Sequence, residues 1–314
     1  VHQNLLFADR NLARGMQRGT LALRYCRECS FVWNAEFNPE LLSYGSDYDN
    51  TQGLSDAFAG HLEQMVRHLI DERGARHVSI LEVGCGKGTF LRMLVSDPAL
   101  GNSGIGYDPS YVGPLADLDG RLEFRREYFD SERLKVAADI VVSRHVIEHI
   151  AEPVSFLANV AETLSVQPQA RLFLETPCVE WILRNHVFWD VFYEHCSLFS
   201  ANSLQTTLRG AGLETVRVDH VFGGQYLWAE ARAAKAPAAP KLGAGPIPGL
   251  ADAFSAAERQ QQARWLKTID ARRADGRLVL WGAGAKGVTF ANQVDPKGVN
   301  IDCVVDINPQ KQGR

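Results

Sequence analysis

The sequence predicts an α/β chain built on a doubly wound, mostly parallel sheet that an antiparallel hairpin closes. Three observations predict it. A strand, a glycine turn and a helix start run from Val78 to Leu94. Extended and helical stretches then alternate through Thr176, which implies a parallel sheet with helices on both faces. Two extended segments, Gly212 to Val221 and Gln225 to Ala233, flank a Phe222-Gly223-Gly224 turn.

The first unit organises the rest. Val78 to Val83 is an apolar, β-branched run suited to a central parallel strand. Gly84, Gly86 and Gly88 let the chain turn sharply and let a ligand approach without meeting a Cβ. Amides at the following helix start would face that ligand. A second strand, Gly104 to Asp108, ends in an acid 26 residues after Glu82, near the spacing at which a carboxylate meets a ribose diol. A phosphate-cradling Gly-Lys-Ser/Thr loop does not fit, because Gly88 follows Lys87 and Leu81 stands at the first glycine's place. A dinucleotide fingerprint fails at Thr89.

The remaining pattern, Glu82-x-Gly84-x-Gly86-x-Gly88, resembles motif I of class I S-adenosylmethionine-dependent methyltransferases. The resemblance implies that the glycine loop passes under the methionine part and that Asp108 holds the ribose. It places Glu82, Gly84, Gly86 and Asp108 at the cofactor. Further strands are expected at Leu122 to Tyr128, Asp139 to Ser143 and Arg171 to Thr176. Residues after strands three and four commonly line the adenine site in such folds, which brings in Glu127, Tyr128 and His145. The Glu148-His149 pair reads as structural, since adjacent helical residues point about 100° apart and chelate poorly.

Composition excludes several classes. With 314 residues, the chain has room for two domains, and 46% hydrophobic residues support packed cores. A net charge of −4 without a basic block argues against nucleic acid and anionic membranes. No apolar run approaches the ~20 residues that span a bilayer. Six scattered cysteines argue against a disulfide scaffold and for a reducing cytosol. Both ends, Val1 and Arg314, read as cut. The expected partner is a small-molecule acceptor, the chain being a monomer or a weak homo-oligomer.

Before the core, residues 1–54 read as a small entry module. Cys26-Arg-Glu-Cys29 is half of a zinc knuckle, since Cys-x-x-Cys lets two thiolates converge on one tetrahedral ion. Zinc needs four ligands; His2 is a candidate third without supporting spacing, and partners could precede Val1. A free thiol pair or a redox pair are the other readings. The aromatic, polar stretch Phe37 to Phe58, with Tyr44 and Tyr48, resembles a loop that closes over something, and Tyr48 is assigned to the cofactor site. An amphipathic helix follows from about Ser55 to Glu72, opening a core of residues 55–233.

The chemistry is expected in Phe188 to Ser200, where aromatics surround His195, Asp190 and Glu194. A histidine in an apolar pocket beside a carboxylate can act as a general base. Tyr193-Glu194-His195-x-x-x-Phe199-Ser200 resembles the catalytic segment of sugar C-methyltransferases, which act on nucleotide-linked deoxyketosugars. That family combines an N-terminal zinc module, a class I core and a C-terminal Rossmann-like domain. The resemblance covers nearly the whole chain and makes His195 the base, with Tyr193 and Glu194 orienting it or hydrogen-bonding substrate. Carbon becomes nucleophilic only when an adjacent ketone permits an enolate. The family's Gly-Gly-Ser-Leu-Arg hairpin is here Gly223-Gly224-Gln225-Tyr226-Leu227, without the Ser and Arg.

A Pro/Ala/Gly linker from Ala231 to Gly249 and a helix from about Ala251 to Arg273 fill 234–276. In 277–314, Gly282, Gly284 and Gly287 match Gly-x-Gly-x-x-Gly, and a strand from Val299 ends near Asp306. Alone this suggests a nicotinamide cofactor. The resemblance implies instead a truncated Rossmann-like cap that helps hold substrate, with Gly223, Gly224, Gly284 and Lys286 as its contacts. Methylation of oxygen or nitrogen in another natural product, and a non-catalytic or redox role for the second glycine motif, are the rival readings.

Overall fold

A computed structural model describes residues 5–7, 9–42, 44, 45, 48, 51, 54–131, 137–236, 243 and 245–313. His2, parts of the Phe37–Phe58 loop and the middle of the linker lie outside the described residues. The chain opens with helix α1 (Arg10–Arg14) and a hairpin of β1 (Leu23–Tyr25) and β2 (Val32–Asn34). Helix α2 (Asp56–Arg67) runs into a wider π turn, His68–Glu72, and leads to β3 (Ser79–Val83). Helix α3 (Thr89–Val95), β4 (Ser103–Tyr107), β5 (Ala116–Asp117), β6 (Leu122–Arg125) and β7 (Ile140–Arg144) follow. Then come α4 (Pro153–Ser165), β8 (Arg171–Pro177), α5 (Val179–Arg184), β9 (Ser197–Leu198) and α6 (Ala201–Gly210). The hairpin β10 (Leu213–Val221) and β11 (Tyr226–Ala233) completes the core.

Eight strands form one sheet in the order β10-β11-β8-β7-β3-β4-β6-β5. The five strands β6, β4, β3, β7 and β8 are mutually parallel; β11 joins β8 antiparallel, and β5 joins β6 antiparallel. Alternation sends neighbouring residues to opposite faces. Leu81, Val141, Leu172 and Leu174 pack with Leu157 and Val160 of α4 and Leu204 and Leu208 of α6. Ile80, Ile140, Val142 and Phe173 pack on the other face with Leu62 and Val66 of α2 and Phe90, Leu91 and Leu94 of α3. Both faces are therefore covered, which is why these strands read as unbroken apolar runs. The strand order reverses between β3 and β7, and the crevice beyond their carboxyl ends is where open α/β sheets hold ligands.

Several boundaries move. β6 ends at Arg125, not Tyr128, because the chain bends at Arg126 and Glu127. Ala231–Ala233 belong to β11, and Ile247–Gly249 already belong to helix α7 (Ile247–Arg273), so the linker is shorter than its composition suggests. The second glycine motif runs into helix α8 (Ala285–Val294), lying between the parallel strands β12 (Val279–Trp281) and β13 (Cys303–Val305). β13 starts at Cys303 rather than Val299, since Asp295 ties the amides of Val299, Asn300 and Ile301 into a loop.

Two junctions position the site. The N-terminal hairpin does not stand apart: β2 pairs with β9, Val32 opposite Leu198 and Trp33 opposite Ser197. On the opposite side, Phe188 packs with Ile269 of α7 and Val294 of α8, together with Trp189, Trp265 and Phe290. The aromatic segment is thus held from both ends.

Candidate functional site

The glycine loop after β3 forms one wall of the crevice. Gly84, Gly86 and Gly88 all take positive φ (76°, 55° and 73°), a conformation costly for any residue with a Cβ. A Cβ on Gly84 would stand 2.1 Å from Val146 Cγ2, so the loop lies directly against the segment after β7. Asp108 braces the loop: its Oδ2 accepts the Gly86 amide at 2.8 Å, and its Oδ1 accepts the Ser110 amide and hydroxyl at 2.7 and 2.6 Å. Glu82 is buried in β3, with Oε2 lacking a hydrogen-bond partner. Burial pushes its carboxyl up to about 8, partly countered by the Arg144 charge. A bare loop backed by an orphaned buried carboxyl fits a polar ligand at this wall. Glu127 is half-buried beyond β6, and Tyr128 is largely exposed there.

The facing wall is built from His145, Glu148, His149 and the aromatic segment. His145 has φ 54°, an uncommon conformation for a non-glycine residue. Its ring lies 4.6 Å from that of Tyr226, with Nδ1 3.3 Å from Glu148 and Nε2 3.5 Å from Glu175. Glu175 is fully buried and paired with Arg144 (2.7 Å) and His61. Burial alone would raise its carboxyl, but Arg144, His61 and His145 outweigh it and hold Glu175 at about 2. Sequence reasoning missed this ion cluster. Its members come from α2, β7 and β8, and no local pattern joins them.

The three predicted catalytic residues go to three different partners. His195 is buried, its ring 4.0 Å from that of Phe192 and 4.8 Å from that of His149. Burial, then the charges of His149, His145 and Lys286, hold it well below the usual imidazole range, so its ring is neutral. Its Nδ1 has no hydrogen-bond partner. Glu194 is fully buried and accepts the Tyr48 hydroxyl at 2.6 Å. The bond ties Tyr48, from the Phe37–Phe58 loop, to the aromatic segment. The Tyr193 hydroxyl accepts the Asn38 amide at 2.8 Å, and its ring packs on Phe37. The expected bond from Tyr193 to His195 does not form; Tyr193 pins the N-terminal segment instead. Tyr44 completes the roof, its hydroxyl 2.9 Å from His149 Nδ1.

Lys286 closes the mouth. Its ammonium pairs with Asp190 at 2.6 Å and donates to Gln225 Oε1 at 3.3 Å, across the hairpin turn. In that turn Gly223 and Gly224 have positive φ, and a Cβ on Gly224 would come 3.2 Å from the Trp181 ring. Gly284 precedes α8 with extended backbone. The hairpin turn, the aromatic segment and the second glycine motif therefore meet at Lys286.

Cys26 and Cys29 sit in the turn between β1 and β2. The Glu28 amide donates to Cys26 Sγ at 3.4 Å, and amides of Cys29 and Glu28 hold the Cys26 thiol below its usual range. Burial raises Cys29. Both are free thiols, and among the described residues no third histidine, cysteine or carboxylate clusters with them. Two ligands alone do not make a tetrahedral zinc site.

Fold and crevice together are those of a doubly wound α/β domain, with a glycine loop at the switch point and an ionisable wall facing it. A family model described as a methyltransferase domain matches residues 54–218. That is more than half of the chain, and the chain belongs to this methyltransferase-domain family. It is 25% identical over 238 residues to C-methyltransferase NovU of Streptomyces niveus, covering 71% of this chain and 54% of that protein. It is 31% identical over 103 residues to the mitochondrial ubiquinone biosynthesis O-methyltransferase of Schizosaccharomyces pombe, covering 31% of this chain and 37% of that protein. The chain spans about half or less of the length of these relatives. Among solved structures, Burkholderia thailandensis 1,6-didemethyltoxoflavin-N1-methyltransferase overlaps with TM-score 0.44 at 16% identity, over 57% of this chain and 82% of that one. Magnesium protoporphyrin IX methyltransferase of Synechocystis PCC 6803 overlaps with TM-score 0.43 at 16% identity, over 57% and 84%.

Proposed function

We propose that this chain is a C-methyltransferase that methylates a carbon alpha to a ketone in a small molecule, with a nucleotide-linked deoxyketosugar as the acceptor class. The observation that carries the reading is His195: a neutral, buried imidazole whose ring lies 4.8 Å from that of His149, three residues after the Val146 that abuts Gly84. The similarity to a protein named as a C-methyltransferase, over 71% of this chain, supports it.

In this reading S-adenosylmethionine supplies an electrophilic methyl group when bound, held by Gly84, Gly86, Asp108 and Glu82. His195 takes the alpha proton, leaving an enolate whose carbon is the nucleophile. A positioned base contributes ~10²–10⁴ in rate. Donors near the enolate oxygen add electrostatic help, a role this reading gives to Tyr44 and His149. Lys286, with Gly223, Gly224 and Gly284 around it, holds the anionic part of the acceptor. Structural zinc at Cys26 and Cys29 would need two further ligands, and no step depends on it.

Incubation with a candidate ketone in deuterated water tests the reading. Exchange at the alpha carbon without donor is expected, and is expected to vanish in His195→Ala. An oxygen acceptor is the second reading, favoured by the 103-residue match to an O-methyltransferase; it gives methyl transfer without exchange. Calorimetry with S-adenosylhomocysteine against NAD(P) separates both from a redox role for the second glycine motif.

A further inference from the structure

Behind the crevice, Glu148, His149 and His195 converge so that one ligand atom from each lies within 4.8 Å of the others. They come from two segments far apart in the chain: the turn Ile147–His149 after β7, and the irregular stretch before β9. An adjacent Glu-His pair chelates poorly by itself, and His195 supplies the third direction. Glu148 is 1% exposed and His195 8%. Each keeps a buried polar atom without a hydrogen-bond partner, Oε1 of Glu148 and Nδ1 of His195. The closest ion-pairing contact of that Oε1 is His145 Nδ1 at 3.3 Å. Buried polar atoms are nearly always satisfied, so two orphans in one cluster need an explanation.

The surrounding hydrogen bonds resemble those that orient metal ligands. The Thr176 hydroxyl donates to Glu148 Oε2 at 3.1 Å. Tyr44 engages Nδ1 of His149 at 2.9 Å, which leaves Nε2 as the nitrogen for a ligand. An outer partner of this kind fixes ring orientation and tautomer at metal sites.

We propose that Glu148, His149 and His195 form a binding site for one divalent transition ion of the zinc class. Two imidazoles and one carboxylate favour zinc or cobalt over magnesium or calcium, which prefer all-oxygen shells. Occupancy has a consequence for chemistry. The lone pair that an ion takes from His195 is no longer available to accept a proton. The ion and the acceptor's proton thus compete for one imidazole, and loading switches the base off. The site itself does not depend on carbon methylation.

Titration of the full chain with Co²⁺, without donor or acceptor, tests it. One equivalent is expected to bind with visible d–d bands, no thiolate-to-cobalt charge-transfer band, and paramagnetically shifted proton signals from two imidazoles. Zn²⁺ should displace it and excess Mg²⁺ should not. His149, the least buried of the three, is the site for a variant: His149→Ala should weaken Co²⁺ by on the order of 100-fold. A thiolate band, which would put the ion on Cys26 and Cys29, overturns the proposal. So do shifted signals from fewer than two imidazoles, displacement by Mg²⁺, unchanged affinity in a folded His149→Ala, or no binding. The imidazole signals are read on the unaltered chain, so the test survives a variant that fails to fold. Because methyl transfer is not assayed, failure here leaves the C-methylation reading standing, and the converse holds.

Discussion

The rings of His195 and His149 meet edge to face, their centres 4.8 Å apart. Burial, reinforced by the neighbouring His149, holds His195 well below the usual imidazole range. A neutral ring beside a crevice is ready to accept a proton at pH 7. His195→Ala should therefore cut turnover by ~10²–10⁴, while calorimetry shows S-adenosylhomocysteine affinity nearly intact. Equal losses in both would make His195 part of the donor site rather than the base.

The glycine loop gives a steric prediction. Gly84→Ala meets two obstacles, a φ of +76° and a Cβ 2.1 Å from Val146 Cγ2. The first costs about 1–2 kcal/mol, and the second forces the loop off the wall after β7. Donor affinity and the melting temperature should both fall. Adding Val146→Ala removes the clash but not the strain, so the double variant should recover part of the loss. Such non-additivity is the signature of residues in direct contact. Purely additive effects would mean that the loop had already moved away.

How much of this was legible in the sequence follows from where information is local. β3, β7 and β8 were readable because strands covered on both faces are unbroken apolar runs, and the glycines between β3 and α3 mark a turn no other residue makes easily. The Asp108 spacing located the right strand end, yet not that its carboxylate would brace Gly86 and Ser110. Tyr193, Glu194 and His195 were read as one catalytic group. Their stretch has no period, so nothing in the sequence says that they diverge to Asn38, Tyr48 and His149. The pairing of Val32 with Leu198 joins residues across most of the chain through a two-residue strand, too short to carry a pattern. The cluster of His61, Arg144 and Glu175 was hidden for the same reason of distance.

Tyr48 and Glu194 form a buried contact between lid and core. The hydroxyl donates to Glu194 Oε2 at 2.6 Å, and the carboxylate is fully buried. Tyr48→Phe removes that donor from a buried carboxyl. Taking a donor from a buried acceptor costs about 1–3 kcal/mol. Urea denaturation should show a loss of that order, with a lower midpoint at unchanged slope. A change in slope would mean that the lid had detached instead.

Lys286 and Asp190 make a half-open ion pair at the mouth. Asp190 is buried, which raises its carboxyl against the pull of Lys286. Lys286→Met should strand that carboxyl and cost about 1–3 kcal/mol, less than a fully buried pair because the ammonium reaches solvent. If Lys286 also holds an anionic group of the acceptor, KM should rise far more than kcat falls. Lys286→Arg should restore part of the affinity. A fall in kcat alone would place Lys286 at the reacting carbon.

Glu82 makes stability depend on pH in an unusual direction. Its folded carboxyl is pushed up to about 8 by burial, against an ordinary 4.5. Between those values the folded chain holds a proton that the unfolded chain has released, so stability falls as pH rises through the window. Most carboxylates in folded proteins act the other way. Glu82→Gln carries no such proton, so its urea midpoint should lack this decline and should gain on the parent chain between about pH 4.5 and 8, the gain levelling off above 8. The comparison is made below, within and above the window. A midpoint difference that stays constant throughout would show that Glu82 is already ionised when folded. A protonated carboxyl also offers an O–H beneath the glycine loop, so donor affinity in the parent chain should weaken as pH rises through about 8, and in Glu82→Gln it should not.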